Sequence, residues 1–376
     1  MENKKIKILQ VNKLYYPVIG GIEKVVQDIS EGIKAECDVK VLVCNTSTRS
    51  ITEKVNGVEV YRAGSFGSLF SMPVSLSFPF AFRKLSKDRD ILHFHFPFPL
   101  GDISCLLDKP KAKVVITWHS DIIKQKNILS LYKPFLRKFL RRADRIVATS
   151  PNIIEHSVFL NEHKNKCSVI PLSINTGDYR RTETIDEKVR AFRLACGGKI
   201  VVFIGRLVYY KGVEYIIKAM SKINAKLVII GEGPLELSLK ELAVKTGVAD
   251  KIIWLKNVPD DELKIYYHAC DVFTLPSVER SEAFGLVQLE AMACRKPVVS
   301  TNLLTGVPFV NQHDKTGFIV APRDDTALAE AINTLLDKPS LRESMGEYAF
   351  KRVEKEFNRK KMLSDYVNLY KNVVSI

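Results

Sequence analysis

The sequence predicts an α/β protein made of two doubly wound, Rossmann-like domains, and three observations carry that expectation. Short apolar runs alternate with stretches of helical spacing, the pattern of βαβ units around a parallel sheet. The alternation stops once, at the polar and aperiodic segment PLSINTGDYRRTETIDEK that begins at Pro171, and then restarts. The length of 376 residues suits about two domains, and 46% apolar with 26% charged residues is the composition of a globular chain able to bury two cores.

Taken in order, IKILQV (6–11) reads as the opening strand and 22–36 as the helix that follows it. VKVLVC (39–44), ILHFHF (91–96), KVVITW (113–118) and RIVATS (145–150) read as further strands, because each is a short apolar run rich in β-branched or aromatic residues. The segment FGSLFSMPVSLSFPFAF (66–82) reads as an apolar loop, and 128–142 as a helix. After the linker come strands at KIVVFIG (199–205), KLVIIG (226–231), KIIWL (251–255), DVFTLP (271–276) and PVVST (297–301). Helices are expected at 212–222, 234–246 and 260–269, and from Leu286 onward, where Val287, Leu289, Ala291, Met292 and Ala293 suit burial. Helical pattern fills 324–376, and no short-period repeat indicates a solenoid.

Composition narrows the function classes. No apolar run reaches the roughly 18 to 20 residues of a membrane-spanning helix, and the start MENKKIKILQV has no signal-peptide core, so a cytoplasmic location is expected. The seven cysteines are scattered without C-x-x-C or C-x-x-H pairing, which argues against a disulfide framework or a structural zinc. Residues 1–180 hold 28 Lys+Arg against 17 Asp+Glu, a net +11, and the remainder 29 against 25, a net +4. A basic first half attracts polyanions. Nucleic acid, an anionic membrane surface and phosphorylated lipids are the candidates, and composition alone does not choose among them, although no nucleic-acid module is apparent. The helix ILSLYKPFLRKFLRR (128–142) fits the membrane reading, since it mixes Leu, Tyr and Phe with Lys133, Arg137, Lys138, Arg141 and Arg142; core packing with a solvated cationic side is the alternative.

In open α/β sheets ligands bind beyond the carboxyl ends of strands. Four such positions carry glycine: Gly20-Gly21 after the first strand, Gly205 in GRLVYYKG, Gly231 and Gly233 in GEGP, and Gly285 where the chain enters a helix. GRLVYYKG also supplies Arg206 and Lys211, able to clamp a diphosphate by fork and point charge. In ERSEAFGLVQLEAMACRKP, Glu282 and Glu290 flank a helix start whose free N–H groups favour an anion. Two carboxylates around an anion site suggest a ligand with a phosphate in the middle and hydroxyls at both ends. Each motif also has a plain reading: surface cations, a strand-to-helix turn, a helix N-terminal charge. His119 ends a strand in WHSD and so points toward the predicted cleft. His93 and His95 share one strand face with no further ligand at a supporting spacing, and Asp88-Arg89-Asp90 precedes its strand, so no metal is expected.

Together these residues resemble the family 4 retaining glycosyltransferases, across nearly the whole chain. The carriers are the E-x7-E element Glu282–Glu290, Arg206 with Lys211, Gly20-Gly21, and the final helical stretch. KILQVNKLYYPVIGGIEKVVQDI, HFHFPFPLGD and RSEAFGLVQLEAMA further resemble bacterial mannosyltransferases of O-antigen and related polysaccharides. The resemblance implies the GT-B fold, with an acceptor domain over 1–172, a nucleotide-sugar domain over 173–357 facing it across a cleft, and a helix over 358–376 returning to the first. It implies Glu290 on the ribose and Glu282, with the Ala283, Phe284, Gly285 and Leu286 backbone, on the donor sugar. Arg206 and Lys211 would hold the diphosphate, His119 would lie near sugar and acceptor with Tyr15, His95 and Asp121 on the acceptor side, Gly20-Gly21 would close on the phosphates, and Asn257, Val258 and Asp260 would meet the base. The nucleotide sugar is then a substrate, with no cofactor or metal, and the acceptor a lipid-linked saccharide in lipopolysaccharide assembly at the inner membrane face. Two positions depart from the family pattern: Lys256-Asn257 replaces a glycine before the base segment, and Arg295 stands where glycine is common. GDP-mannose is the expected donor. A UDP-linked N-acetylglucosamine, glucose or galactose stays open, as does a non-enzymatic basic module binding nucleic acid or anionic lipid.

Overall fold

The structure, a computed structural model, describes residues 5–18, 20–69, 72–122 and 126–375, with backbone alone at 69 and 126–129. Residues 70–71 of the expected apolar loop, and the side chains of Ile128 and Leu129 in the expected basic helix, lie outside the described residues. The chain divides into two compact units, Met1–Pro171 with Lys360–Ile376, and Leu172–Arg359.

The first unit is built on an eight-stranded sheet in the order Cys167–Val169, Arg145–Ala148, Lys113–Trp118, Ile91–Phe96, Ile6–Val11, Cys37–Cys44, Val58–Ala63, Ile51–Val55. All neighbours are parallel except the last pair, a hairpin turned at Asn56-Gly57, both with positive φ. That hairpin is an addition to the expected strands; Asn-Gly between two alternating runs is its signal. Helix Phe78–Ser86 corrects the reading of 66–82 as one loop: Ser77-Phe78-Pro79 starts it, and Phe78 and Phe82 enter the core while Phe80 stays exposed. On one sheet face Leu9, Val11, Leu92, Phe94, Phe96, Ile116 and Trp118 form the core with Leu136, Phe139 and Leu140 of the helix Lys126–Arg142. Each such side chain contributes roughly 1.5–3 kcal/mol by leaving water.

The opposite face of the same strands is polar. Register pairs Gln10 with His93 and His95 with Thr117, so all four project to one side. Helix Arg359–Val374 covers them with Tyr366 and Tyr370, both fully buried. Leu363 of this helix also lies against Gly32, where an added Cβ would fall 2.4 Å from a Leu363 methyl.

The second unit holds a six-stranded, all-parallel sheet in the order Ile252–Leu255, Lys226–Ile230, Ile200–Ile204, Val272–Leu275, Val298–Thr301, Gly317–Val320. Its order is 3-2-1-4-5-6, whose switch point lies between Ile200–Ile204 and Val272–Leu275. The polar segment after Pro171 is only in part a linker: Glu183–Cys196 is a helix, capped by the Thr182 hydroxyl accepting from the Ile185 N–H. Its sparse apolar residues Ile185, Val189 and Phe192 pack on Ile265 and Tyr266 of the helix Leu263–Ala269.

Candidate active site

The loops leaving the two central strands of the second unit meet at the switch point. After Ile200–Ile204 the chain runs through Gly205 and the exposed Arg206 to Lys211 and Gly212. Gly212 has φ 62°, and a Cβ there would lie 2.2 Å from the Pro276 carbonyl oxygen. The Val278 N–H donates to the Tyr210 carbonyl at 2.8 Å. This close approach sets Lys211 against the loop after Val272–Leu275, where Lys211 Nζ lies 2.6 Å from Glu282 Oε2 and both side chains are about nine-tenths buried. The Ser277 hydroxyl donates to the same oxygen at 3.0 Å. Lys211 is therefore paired with a carboxylate, while Arg206 has no side-chain hydrogen bond or ion pair among the described residues.

The glycines have a mechanical role at this point. A Cβ on Gly231 would meet the Gly205 carbonyl oxygen at 2.1 Å, and one on Gly233 the Leu207 carbonyl oxygen at 2.3 Å. The two loops are joined by Gly205 N–H to Ile230 O and Leu207 N–H to Glu232 O. GEGP is thus fixed by backbone packing against GRLVYYKG. Gly285, at φ 74°, starts the helix Leu286–Ala293, and a Cβ there would lie 2.6 Å from Leu275. Ala283 is held by its carbonyl accepting from Gly306 N–H at 2.7 Å, and Phe284 is buried.

Glu290 sits further along that helix, half-buried. Tyr267 donates to its Oε2 at 2.5 Å and Tyr179 hydrogen bonds to it as well. Loss of water pushes its carboxyl above the usual range, the two tyrosines oppose this, and Asp260 adds to it. Asp260, Asn257 and Val258 follow the strand Ile252–Leu255, so the expected base segment and Glu290 share one neighbourhood. Tyr179, Tyr267 and Ser277 were not legible as site residues, because only the tertiary fold brings them to the two glutamates. A cavity of 430 Å³ in this unit is lined by Tyr179, His268, Arg295, Lys296 and Glu354 among others, and by none of Lys211, Glu282 or Glu290.

Both departures from the family pattern fall at left-handed backbone. Asn257 has φ 49° and Arg295 φ 57°. Asparagine tolerates that conformation well. Arg295 is held there by an ion pair to Glu347 at 2.8 Å and by stacking 3.7 Å over the Phe350 ring. Its side chain therefore packs on the helix Pro339–Glu356.

In the first unit, Gly20 is extended and caps the helix Gly21–Gly32, and a Cβ on Gly21 would meet nothing within 4 Å. His119 is nine-tenths buried or more, and its Nε2 lies 3.0 Å from His95 Nδ1. Of the residues assigned to the acceptor side, His95 and Tyr15 are 1% and 0% exposed, and both His95 nitrogens are hydrogen bonded. Asp121 accepts from Trp118 Nε1 at 3.0 Å and from the Ser157 hydroxyl at 2.7 Å. It anchors the loop after His119.

Comparison with known proteins gives the geometry a family. Residues 19–178 match the family described as Glycosyltransferase Family 4, and residues 184–352 that described as Glycosyl transferases group 1. The chain is 34% identical over 371 residues to the O-antigen chain mannosyltransferase C of Escherichia coli, covering 97% of this chain and 98% of that one. It is 32% identical over 354 residues to the D-rhamnosyltransferase WbpZ of Pseudomonas aeruginosa, covering 94% and 92%. Among solved structures, sucrose-phosphate synthase from Thermosynechococcus elongatus superposes with a TM-score of 0.81 at 21% identity, over 99% of this chain and 100% of that one. Anabaena HepE in complex with UDP superposes with a TM-score of 0.80 at 18% identity, over 98% and 100%. With relatives this similar along almost their entire length, and two glycosyltransferase matches in tandem on paired Rossmann-like sheets, the chain belongs to the family 4 glycosyltransferases of GT-B fold.

Proposed function

We propose that this glycosyltransferase moves mannose from GDP-mannose, with retention of anomeric configuration, to a lipid-linked saccharide during O-antigen-like polysaccharide assembly. The single observation that carries the reading is the Lys211–Glu282 pair at the switch point of the second sheet, beside the exposed Arg206. The relatives add to it: one is named a mannosyltransferase and the other a D-rhamnosyltransferase, D-rhamnose being 6-deoxy-D-mannose. In this reading Glu282 binds donor-sugar hydroxyls. Lys211 has three N–H donors and one is used by Glu282, which leaves two for the diphosphate. Arg206 supplies the second cation, and Glu290 takes the ribose hydroxyls.

The chemistry follows from where charge grows. The acceptor oxygen bonds to the anomeric carbon on the face that the diphosphate leaves. The breaking bond gives its electron pair to the phosphate oxygen, and the acceptor's proton passes to that same oxygen. Arg206, Lys211 and the N–H groups opening helix Leu286–Ala293 stabilise the growing charge, with no metal assigned a part. Membrane contact falls to the helix Lys126–Arg142. Its Tyr132, Leu136, Phe139 and Leu140 are core residues, whereas Leu131 and Phe135 are exposed among Lys133, Lys138 and Arg141. Calorimetry with GDP and UDP tests the donor: tight GDP binding is expected, and UDP binding without GDP binding sinks the mannosyl assignment.

A further inference from the structure

We propose that a buried hydrogen-bonded relay through His95, Gln10 and Tyr370 sets the tautomer of His119, making these three positioning residues for that imidazole. The inference rests on the reading of His119 as a group that faces substrate.

The relay is continuous. His119 Nε2 lies 3.0 Å from His95 Nδ1, and His95 Nε2 lies 2.9 Å from Gln10 Oε1. Gln10 Nε2 donates to the Tyr370 hydroxyl at 3.3 Å, and that hydroxyl lies 2.7 Å from His93 Nδ1. His93 Nε2 is 2.7 Å from Thr117 Oγ1, which is 3.0 Å from the Tyr366 hydroxyl. Every member is buried, and the His95 and His119 rings stack at 5.3 Å with 19° between planes. Burial keeps the imidazoles neutral, with His93 and His119 pushed down to about 3 and His95 well below its usual value.

A neutral imidazole has one donor nitrogen and one acceptor. With the Gln10 amide oxygen toward His95, His95 Nε2 carries the hydrogen and its Nδ1 must accept. His119 Nε2 is then the donor, which leaves Nδ1 of His119 with a bare lone pair. That nitrogen has no hydrogen bond among the described residues, so it is the one left to accept from a ligand hydroxyl. Rotating the Gln10 amide by half a turn would reverse each role and put a hydrogen on His119 Nδ1. The tautomer therefore cannot change without Gln10, Tyr370 and His93 changing together. Tyr370 belongs to the last helix, so a residue 251 positions from His119 in sequence bears on what that imidazole offers a substrate.

Histidine-selective ¹⁵N NMR of the full chain, assigned with His119→Asn, reads the ring nitrogens without any ligand. The wild-type protein is expected to show one His119 tautomer, with Nδ1 unprotonated. Tyr370→Phe removes the partner that ties the Gln10 amide and is expected to give a mixture of the two. Val367→Ala, which trims a buried side chain of the same helix outside the relay, is expected to lower thermal stability without moving the His119 signals. A protonated Nδ1 in the wild type, or His119 signals unchanged in Tyr370→Phe, overturns the relay, and the wild-type spectrum decides alone if the variant does not fold. In turnover, Tyr370→Phe is expected to lower kcat about tenfold with donor KM unchanged. Full activity in His119→Ala would remove the catalytic reading of His119 while leaving the spectroscopic result intact.

Discussion

Lys211 and Glu282 neutralise each other at a site where almost no water reaches them, so the two cannot be probed by simple truncation. Glu282→Ala strands a buried ammonium, and breaking such a pair costs about 3–5 kcal/mol. Glu282→Gln keeps an oxygen for Ser277 and Lys211. It still removes the countercharge, so it is expected to melt below the wild type but above Glu282→Ala, while turnover falls by about 10²–10³, read by thermal denaturation beside a transfer assay. Arg206 gives the complementary case. It is exposed and structurally unengaged, so Arg206→Ala should change stability by no more than about 0.5 kcal/mol yet lower turnover by about 10²–10³. An Arg206→Ala enzyme of full activity would remove the diphosphate role. The order of residues along the chain was enough to flag Arg206, Lys211, Glu282 and Glu290, because loops after strands are where such sheets bind. It could not show that Lys211 and Glu282 pair, since that depends on Gly212 fitting against the Pro276 carbonyl.

At the level of elements, the strand Ile91–Phe96 has the widest consequences. Alternation in HFHF was legible as two faces, but not that the polar face would be sealed by the last helix. Sealing it makes the first unit sensitive to acid. The folded His93 and His119 resist protonation down to about pH 3, whereas in the unfolded chain they take up protons below about 6.5. Between those values the unfolded state binds more protons, so stability falls as pH falls, by roughly 1.4 kcal/mol per pH unit for each histidine. Melting temperature measured from pH 7 to pH 5 should decline, and a flat profile would contradict the buried, neutral assignment. The helix Lys126–Arg142 supports a second prediction. Leu131 is 78% and Phe135 47% exposed, on a helix whose Tyr132, Leu136, Phe139 and Leu140 are in the core. Leu131→Glu with Phe135→Glu should weaken co-sedimentation with anionic vesicles at least about tenfold, two charge changes being worth roughly 1 kcal/mol each at such a surface. Unchanged vesicle binding would return this face to the solvated-side reading. Among the elements that escaped the sequence, the Asn56-Gly57 hairpin joins two short strands, Phe78–Ser86 lies inside a longer apolar run, and Glu183–Cys196 has too few apolar residues to stand out.

For the whole molecule, one building plan is used twice. Each unit is built on a sheet, all parallel in the second and parallel but for one edge hairpin in the first, that winds outward both ways from its first strand, Ile6–Val11 in one and Ile200–Ile204 in the other, and the candidate residues cluster where the winding reverses. The charge is not divided evenly: the net +11 lies in residues 1–180, the stretch proposed to meet an anionic lipid-linked acceptor. The non-enzymatic alternative drew on the same charge, and family membership leaves it without support, since relatives at 34% and 32% identity carry transferase names along their full lengths. In the proposed reading sugar and base are set by a few contacts around Glu282 and Asn257–Asp260, which is why they are less legible than the fold. The most direct test offers the full-length protein GDP-mannose and UDP-linked sugars side by side, with a lipid-linked saccharide acceptor, and follows both nucleotide and acceptor by mass. One intact hexose added to the acceptor from GDP-mannose, with GDP released in equal amount, is the expected result. Transfer from a UDP-sugar alone, or nucleotide release without transfer, would contradict it.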